Sequence, residues 1–534
     1  MVYAFTLPTT SPLSFQSFLS SLTHPSLPQS ASTARHSLRL ALKAHKRLPR
    51  GSRQEANLPT VLSALNEYIP YLFAISHGLS GRAVKSDFAV RDGSNASLHP
   101  GEEIDITLHT EIESSWKPTI SMGSLFSKSP STSNSGTKTS RSRGGRVSGR
   151  GIDFEIAFTL TTLGYVLSRL ARIGAMESLY AYTMPTAEQR VASLQAATRH
   201  LLQASSVHSL LASSPSLTAA TGSRVPDINA TTQSALSSLA LAEATLIAVL
   251  KDDSYVTACI QARNPNDKEW MVRAPEIPKV RALLFARLCV RAAEYAEQAA
   301  AGLGSVGSGT GSGRNGGVDE EVTRYAAVLG RVARARACRF FGIDAEIAGK
   351  AGEAIAWLQA ARTSLGLRGS AGLSSNGSDE SSGTSKSGFS RLKREWSDRR
   401  EERKIGKYAG GGRDNGSALE AGDDVGRDEE GRVLEMLETK WVRINDTINT
   451  QIIPPSAPLL SNLPSGRDIH TPPAPYTPPS LDEEQLVRMR APPDERDDLQ
   501  FVNDPDDSDE EEESLQAPPG TFPSRAQTAS NVYY

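Results

Sequence analysis

Between Asp227 and Gly302 the chain carries two long runs in which apolar residues return every three or four positions, the period of an α-helix rather than of a strand. Asp227 follows Pro226 and offers a side-chain oxygen as an N-cap, after which Leu236, Leu239, Ile247 and Leu250 recur among Ala and Ser. Pro278 suits the first turn of a second helix, where its missing N–H has no intrahelical partner, and KVRALLFARLCVRAAEYAEQA follows it toward Gly302. On that helix Leu284 and Leu288 stand one above the other, with Leu283, Ala286, Val290 and Ala293 as an adjacent stripe. Such a helix either sits wholly inside a helical protein or turns one stripe to the core and the other to a partner.

The same period recurs along most of the chain. Helices are expected over Ser32 to Leu48, Asn57 to Leu79, Phe154 to Ile173, Thr186 to Leu211, Asp319 to Phe341, Asp344 to Leu365 and Leu434 to Ile448. Asn57 is the expected cap of its helix, with Pro70 a possible kink. Only between Asp87 and Ile120 does the period change. There Ile104, Ile106, Leu108 and Ile112 alternate with polar residues, and Phe88 to Arg91 and Trp116 to Ile120 are the expected partner strands of a small antiparallel sheet. The segments ASLQAATR from Ala192 and AWLQAART from Ala356 echo each other, as in stacked helix pairs, but their spacing is irregular.

Composition separates the folded part from the rest. With 42 Gly and 31 Pro in 534 residues, concentrated with Ser in a few stretches, the core is smaller than the length suggests. Insertions without structure are expected near 123–151, 303–318 and 366–428; the first is basic, with Lys128, Lys138, Arg141, Arg143, Arg146 and Arg150 and no acid. The expected domain runs over 1–480, and 481–534 reads as a disordered acidic tail with eight acids between Asp504 and Ser514 and a phosphorylatable Ser508 among them. The segment IIPPSAPLLSNLPSGRDIHTPPAPYTPP is held extended by its prolines and is expected to lie along the helices.

Charge and motifs exclude more than they assign. Lys and Arg number 58 against 60 Asp and Glu, so no global field favours nucleic acid or a membrane. Cys259, Cys289 and Cys338 have neither CxxC spacing nor nearby His, which argues against zinc and a disulfide framework and for a reducing, cytoplasmic setting. The longest membrane-span candidate, Ile156 to Ser168, is flanked by Asp153, Glu155, Arg169 and Arg172 and is too short, so no transmembrane segment is expected. Nucleophile-elbow, zinc-protease and P-loop motifs are absent. The glycines at 302, 304 and 307 match a dinucleotide loop only formally, because they follow a helix. Asp494, Glu495 and Asp498 lie in a Pro-rich tail with no walls for a pocket. Arg331, Arg334, Arg336 and Arg339 read as a solvated face. No cofactor, no metal and no catalytic residue is expected.

Against that background, ALSSLALAEATLIAVLKD, ARLCVRAAEYAEQA, FEIAFTLTTLGYVLSRLAR and GEAIAWLQAARTSL, in their order along the chain, resemble the Bro-one domains of Alix-type proteins. FTLPTTSPLSF at the start and PSGRDIHTPPAPYTPP near the end resemble the fungal pH-response branch of that family. The resemblance covers 1 to 480 without the insertions. It implies a mainly α fold, an elongated boomerang-shaped helical solenoid with a tetratricopeptide-like core and a small antiparallel sheet near the N-terminus.

It also implies a non-catalytic scaffold of ambient, alkaline pH signalling. Such a scaffold binds the C-terminal helix of an ESCRT-III filament subunit of the Snf-seven type, and helps assemble the complex that activates a pH-responsive transcription factor by proteolysis. Other pH-signalling proteins at the plasma membrane are its further expected partners, and its expected location is cytoplasmic, recruited peripherally to plasma-membrane or endosomal ESCRT sites. An endosomal or multivesicular-body sorting adaptor of the same fold is the alternative, and a helical enzyme the remotest one. The family's apolar patch falls on Leu284, Leu288 and Ala248, the last replacing an aromatic, with Val249 or Leu246 as possible compensation. Arg281, Arg287 and Arg291 would form a basic rim for an acidic partner helix.

Overall fold

Apolar periodicity places the helices, and glycine or a side-chain cap ends most of them. The computed structural model describes residues 2–81, 103–121, 145–180, 185–214, 225–261, 279–306, 317–367, 425–469 and 473–492. Its first compact unit runs from Met1 to Arg490; the second, Ala491–Tyr534, lies almost wholly outside the described residues, as do Ser508 and the acidic run.

The N-terminal part combines short strands β1 (Thr9–Thr10) and β2 (Leu19–Ser20) with helices α1 (Leu27–Arg47), α2 (Ser52–Glu55) and α3 (Leu58–Leu79). Strands β3 (Thr107–Leu108), β4 (Glu113–Lys117) and β5 (Val147–Arg150) follow. The larger sheet has the antiparallel order β1-β4-β5, with Thr10 opposite Trp116 and Trp116 opposite Val147; β2 pairs with β3. A small antiparallel sheet was expected here, but with other partners. β4 starts earlier than Trp116 and recruits residues 9–10 and 147–150, while 88–91 lies outside the described residues. The last residues of the expected basic insertion are therefore strand, and Gly151 leads straight into the next helix.

The main body is a succession of long helices: α4 (Ile152–Leu179), α5 (Ala187–Ser213), α6 (Ala230–Leu250), α7 (Ser254–Gln261), α8 (Lys279–Ser305), α9 (Glu320–Ile347), α10 (Ala351–Leu365) and α11 (Arg427–Ile444). From α4 to α6, from α6 to α8 and on to α10, each long helix packs chiefly on its neighbours in this order, which is the solenoid-like arrangement expected of stacked helix pairs. Short helices α12 (Ala457–Ser461) and α13 (Glu483–Met489) close the unit, and Leu481, Leu486 and Met489 are buried, so the folded part passes residue 480. Thr186 and Gln189 cap α5 with a reciprocal box. The break between α9 and α10 comes later than expected, because Phe341 to Ile343 stay buried in the helix and Gly349 supplies the left-handed turn at φ 78°.

Three other expectations change. Asp227 does not cap α6: Asn229 does, accepting from the Thr231 N–H, while Asp227 accepts the N–H groups of Thr119 (2.8 Å) and Ile120 (3.2 Å) and the Ser121 hydroxyl. A short buried carboxylate gains more from these donors beyond β4 than from one helix end. Among the described residues, the helix long and apolar enough to cross a membrane is α6 rather than Ile156 to Ser168, and 78% of its apolar window is buried inside this fold, as in a core helix. Arg336 and Arg339 are buried rather than solvated, because acids from distant elements reach them.

Buried charge also ties the N-terminal part together. Glu155 of α4 accepts from Arg35 Nε (2.8 Å), Tyr68 OH (3.1 Å) and Trp116 Nε1 (2.8 Å), joining α1, α3, β4 and α4. Burial pushes this carboxyl up, but the Arg35 charge and the hydrogen bonds outweigh it and hold Glu155 below the usual range.

Candidate functional site

The expected partner face lies where α6 and α8 pack side by side. Small residues bring them close: a Cβ on Gly302 would stand 3.0 Å from the Ala235 Cβ, and Ala282, Ala286, Ala292, Ala293, Ala296 and Ala299 of α8 are all buried. Phe285 anchors the start of α8 edge-on against Phe340 of α9, with ring centroids 5.4 Å apart.

Of the expected patch, Leu284 is 37% exposed and Ala248 half-buried, but Leu288 is 1% exposed. The pair of solvent-facing leucines expected at 284 and 288 is thus not present: Leu288 belongs to the core. The exposed pair is Leu284 with Leu283, which is 45% exposed, so both stripes of the helix reach the surface in its first turns and both are covered further on. Val249 and Leu246, the candidates to replace the missing aromatic, are buried as well. Among the large side chains of the expected site, Leu284 and Arg281 remain open, with Leu283 of the adjacent stripe beside them.

The basic rim is built differently from its expectation. A turn beyond Leu284, the chain's own extended segment Ser465 to Asp468 crosses α8. Arg287 Nε donates to the Ser465 carbonyl (3.2 Å), and the Arg467 N–H donates to the Arg287 carbonyl (3.1 Å). Arg291 Nε donates to Asp468 Oδ1 (2.8 Å), its Nη1 donates to Glu294 (2.8 Å), and its guanidinium lies 4.3 Å from the Tyr295 ring centre. Tyr295 OH donates to the same Asp468 oxygen at 2.7 Å. The hydrogen bonds to Glu294 and Asp468 raise the Arg291 pKa.

Gly466 permits this crossing: a Cβ there would fall 2.7 Å from the Arg291 backbone, so only glycine fits. Of the Pro-rich segment expected to run extended along the helices, residues 457–461 form helix α12 instead, 470–472 lie outside the described residues, and Ser465 to Asp468 lies along α8 on the arginines assigned to a partner.

Sequence reasoning missed Glu243 of α6. It is buried, accepts from the Tyr3 N–H (2.9 Å) and Tyr325 OH (2.7 Å), and burial pushes its carboxyl up to about 7. Arg172 reaches the same N-terminal segment by donating to the Val2 carbonyl (3.0 Å). An isolated Glu amid Ala in LALAEATLIAVL was the available signal, since an acid inside an apolar run needs buried donors. The formal glycine motif resolves as helix, because Gly302 and Gly304 lie within α8, and Gly307 falls outside the described residues. Asp494, Glu495 and Asp498 also fall outside them. Among the described residues no cluster of three His, Cys, Asp or Glu side chains could hold a metal ion.

Comparison with known proteins adds the following. The family model described as BRO1-like domain matches residues 112–403. A curated relative, the pH-response regulator protein palC of Emericella nidulans, is 58% identical over 540 residues, covering 100% of both chains. Among solved structures, an ALIX BRO1 CHMP4C complex is similar at 16% identity and a TM-score of 0.48, over 90% of this chain and 98% of that one. A Bro1 domain described for endosomal targeting is similar at 14% identity and 0.43, over 92% and 95%.

Proposed function

The chain belongs to the BRO1-like domain family, and from that premise we propose that it is a non-catalytic scaffold of ambient, alkaline pH signalling. The observation that carries this reading is identity of 58% along the whole length of a pH-response regulator, since unrelated scaffolds of one fold do not keep such identity from end to end.

The proposed partner is the amphipathic C-terminal helix of an ESCRT-III filament subunit. Support comes from the first turns of α8, where two adjacent leucines stay exposed; among the described helices only Leu40 of α1 is another leucine exposed to that degree. A partner helix laying its apolar face there would cover Leu283, Leu284 and the half-buried Ala248, with Arg281 at the rim for an acidic neighbour. Full burial of a leucine contributes about 1.5–3 kcal/mol, so two partly exposed ones supply a hot spot without the aromatic. Arg287 and Arg291 are engaged by Ser465 and Asp468, which makes that segment the edge of the docking site. In this proposal the scaffold is recruited from the cytoplasm to plasma-membrane or endosomal ESCRT sites. There it meets other pH-signalling proteins and helps assemble the complex that processes the transcription factor.

The test is a pull-down of the full chain on the ESCRT-III C-terminal helix. Leu283→Asp with Leu284→Asp should lose binding while circular dichroism and melting temperature stay unchanged. Retained binding would refute this docking site, and normal growth of a null strain at alkaline pH would refute the signalling role.

A further inference from the structure

The outer face of α1 carries cations that no acid among the described residues answers, and the β4–β5 ribbon adds two more beside it. Arg39, Lys43, Lys46 and Arg47 are spaced by four, three and one, which sets them along one face of α1. Trp116 stands opposite Val147 in the ribbon, so Lys117 and Arg146, the next residues, face each other across it. Like charges placed opposite each other in an antiparallel pair are destabilising, and here the fold keeps them.

The two elements are close enough to act as one field. Lys43 has its pKa lowered by desolvation and then by Arg39, Arg47 and Arg146; Lys46 has its own lowered by desolvation and then by Lys117 and Arg146. Glu155 is engaged by Arg35, and Glu111 pairs with Arg150 at 3.5 Å. Among the described residues, no Asp or Glu lies within ion-pair distance of Arg39, Lys43, Lys46, Arg47 or Lys117. Arg146 donates to the neutral carbonyls of Thr9 and Ser115. Beside the stripe Leu40 stands 51% exposed, next to Arg39 and one turn from Lys43.

We propose that this face, with Arg39, Lys43, Lys46, Arg47, Lys117 and Arg146 around Leu40, docks on a membrane leaflet rich in anionic phospholipid. The charges are spread along two helical turns and across a ribbon instead of converging on one point, which suits many headgroups better than a single phosphate. An apolar side chain among them has somewhere to go at a headgroup boundary. Each cation near such a surface adds about fivefold to the affinity, and the attraction fades within a Debye length. The inference is independent of the α8 docking site, so either can fail alone.

The experiment is vesicle flotation of the full chain. Vesicles of phosphatidylcholine alone are compared with vesicles carrying about a third phosphatidylserine, at low and high salt. The wild type should float with the anionic vesicles only, and be released by salt. Lys43→Glu, Lys46→Glu and Arg47→Glu together should lower that affinity by at least about a hundredfold, since each removes a cation and adds an acid. Lys46→Glu with Arg47→Glu, both exposed, gives a smaller loss of at least about twentyfold and keeps the test decisive if the triple variant does not fold. Lys440→Glu with Arg443→Glu, exposed on α11, should float as the wild type does. Equal binding to neutral vesicles, or no loss in the reversed variants, overturns the proposal. So does capture by a polyglutamate peptide without any flotation, which would assign the face to an acidic protein segment.

Discussion

Two sets of helix-borne arginines look alike in sequence and have opposite fates. On α9, Arg336 and Arg339 are sealed in the core. Arg339 donates to Glu430 Oε1 (2.6 Å) and Asp253 Oδ2 (2.5 Å), and Arg336 to Glu430 Oε2 (3.2 Å), which binds α9 to α11 and to the start of α7. On α8, Arg287 and Arg291 stay part-exposed under the segment Ser465 to Asp468. In both places the deciding partner lies far along the chain, so periodicity on the arginine's own helix says nothing about it. The first set holds the fold; the second borders a surface.

Breaking the buried set should have the largest effect. Glu430→Gln removes the carboxylate charge that two buried guanidinium groups share, and unfolding in denaturant should show a loss of about 3–5 kcal/mol. Gly466→Ala comes next. The new methyl group meets the Arg291 backbone, so hydrogen exchange should rise over 459–468 and at the covered turn of α8, with global unfolding shifted by about 1–2 kcal/mol at most. Asp468→Ala removes a surface ion pair and the acceptor of the Tyr295 hydroxyl and should cost about 1 kcal/mol, the ion-pair part falling in high salt. Arg331→Glu, exposed on α9, marks the floor of the comparison and should lie within about 0.5 kcal/mol of wild type.

Glu243 adds a pH-dependent contrast to these salt-sensitive pairs. Its folded pKa of about 7 stands above the ordinary carboxylate value, so the native state binds more protons than the unfolded one between those values. Its contribution to stability is therefore present below the unfolded pKa and is lost as pH rises toward 7. Glu243→Gln should remove that part of the slope, which denaturant titrations at pH 5 and pH 8 would reveal as a smaller difference than in the wild type.

Much of the fold was legible. Long runs such as FEIAFTLTTLGYVLSRLAR are apolar on enough faces to be core helices, and α4 is buried along most of its length. The sheet was visible in the alternation around Ile104 and Ile112, but not its strand partners, because two-residue strands at positions 9 and 10 have no period to read. Of the candidate site, exposure was legible only in part: Leu284 is exposed, while Leu288 carries the same signal and is core. Spacing shows which residues share a helix face, not how far a neighbour extends over it.

By itself the sequence determined a helical stack with small residues at its contacts, a short sheet near the N-terminus and a Pro-rich segment that runs extended outside the short helix α12, because these follow from local period, side-chain size and backbone restriction. Tertiary structure decided which arginines are buried, which leucines stay open and what lies on α8. Those outcomes depend on pairing Glu430 with Arg339 and Asp468 with Arg291 across 91 and 177 residues. Contacts at that range are set by packing of the whole stack, which no local pattern encodes.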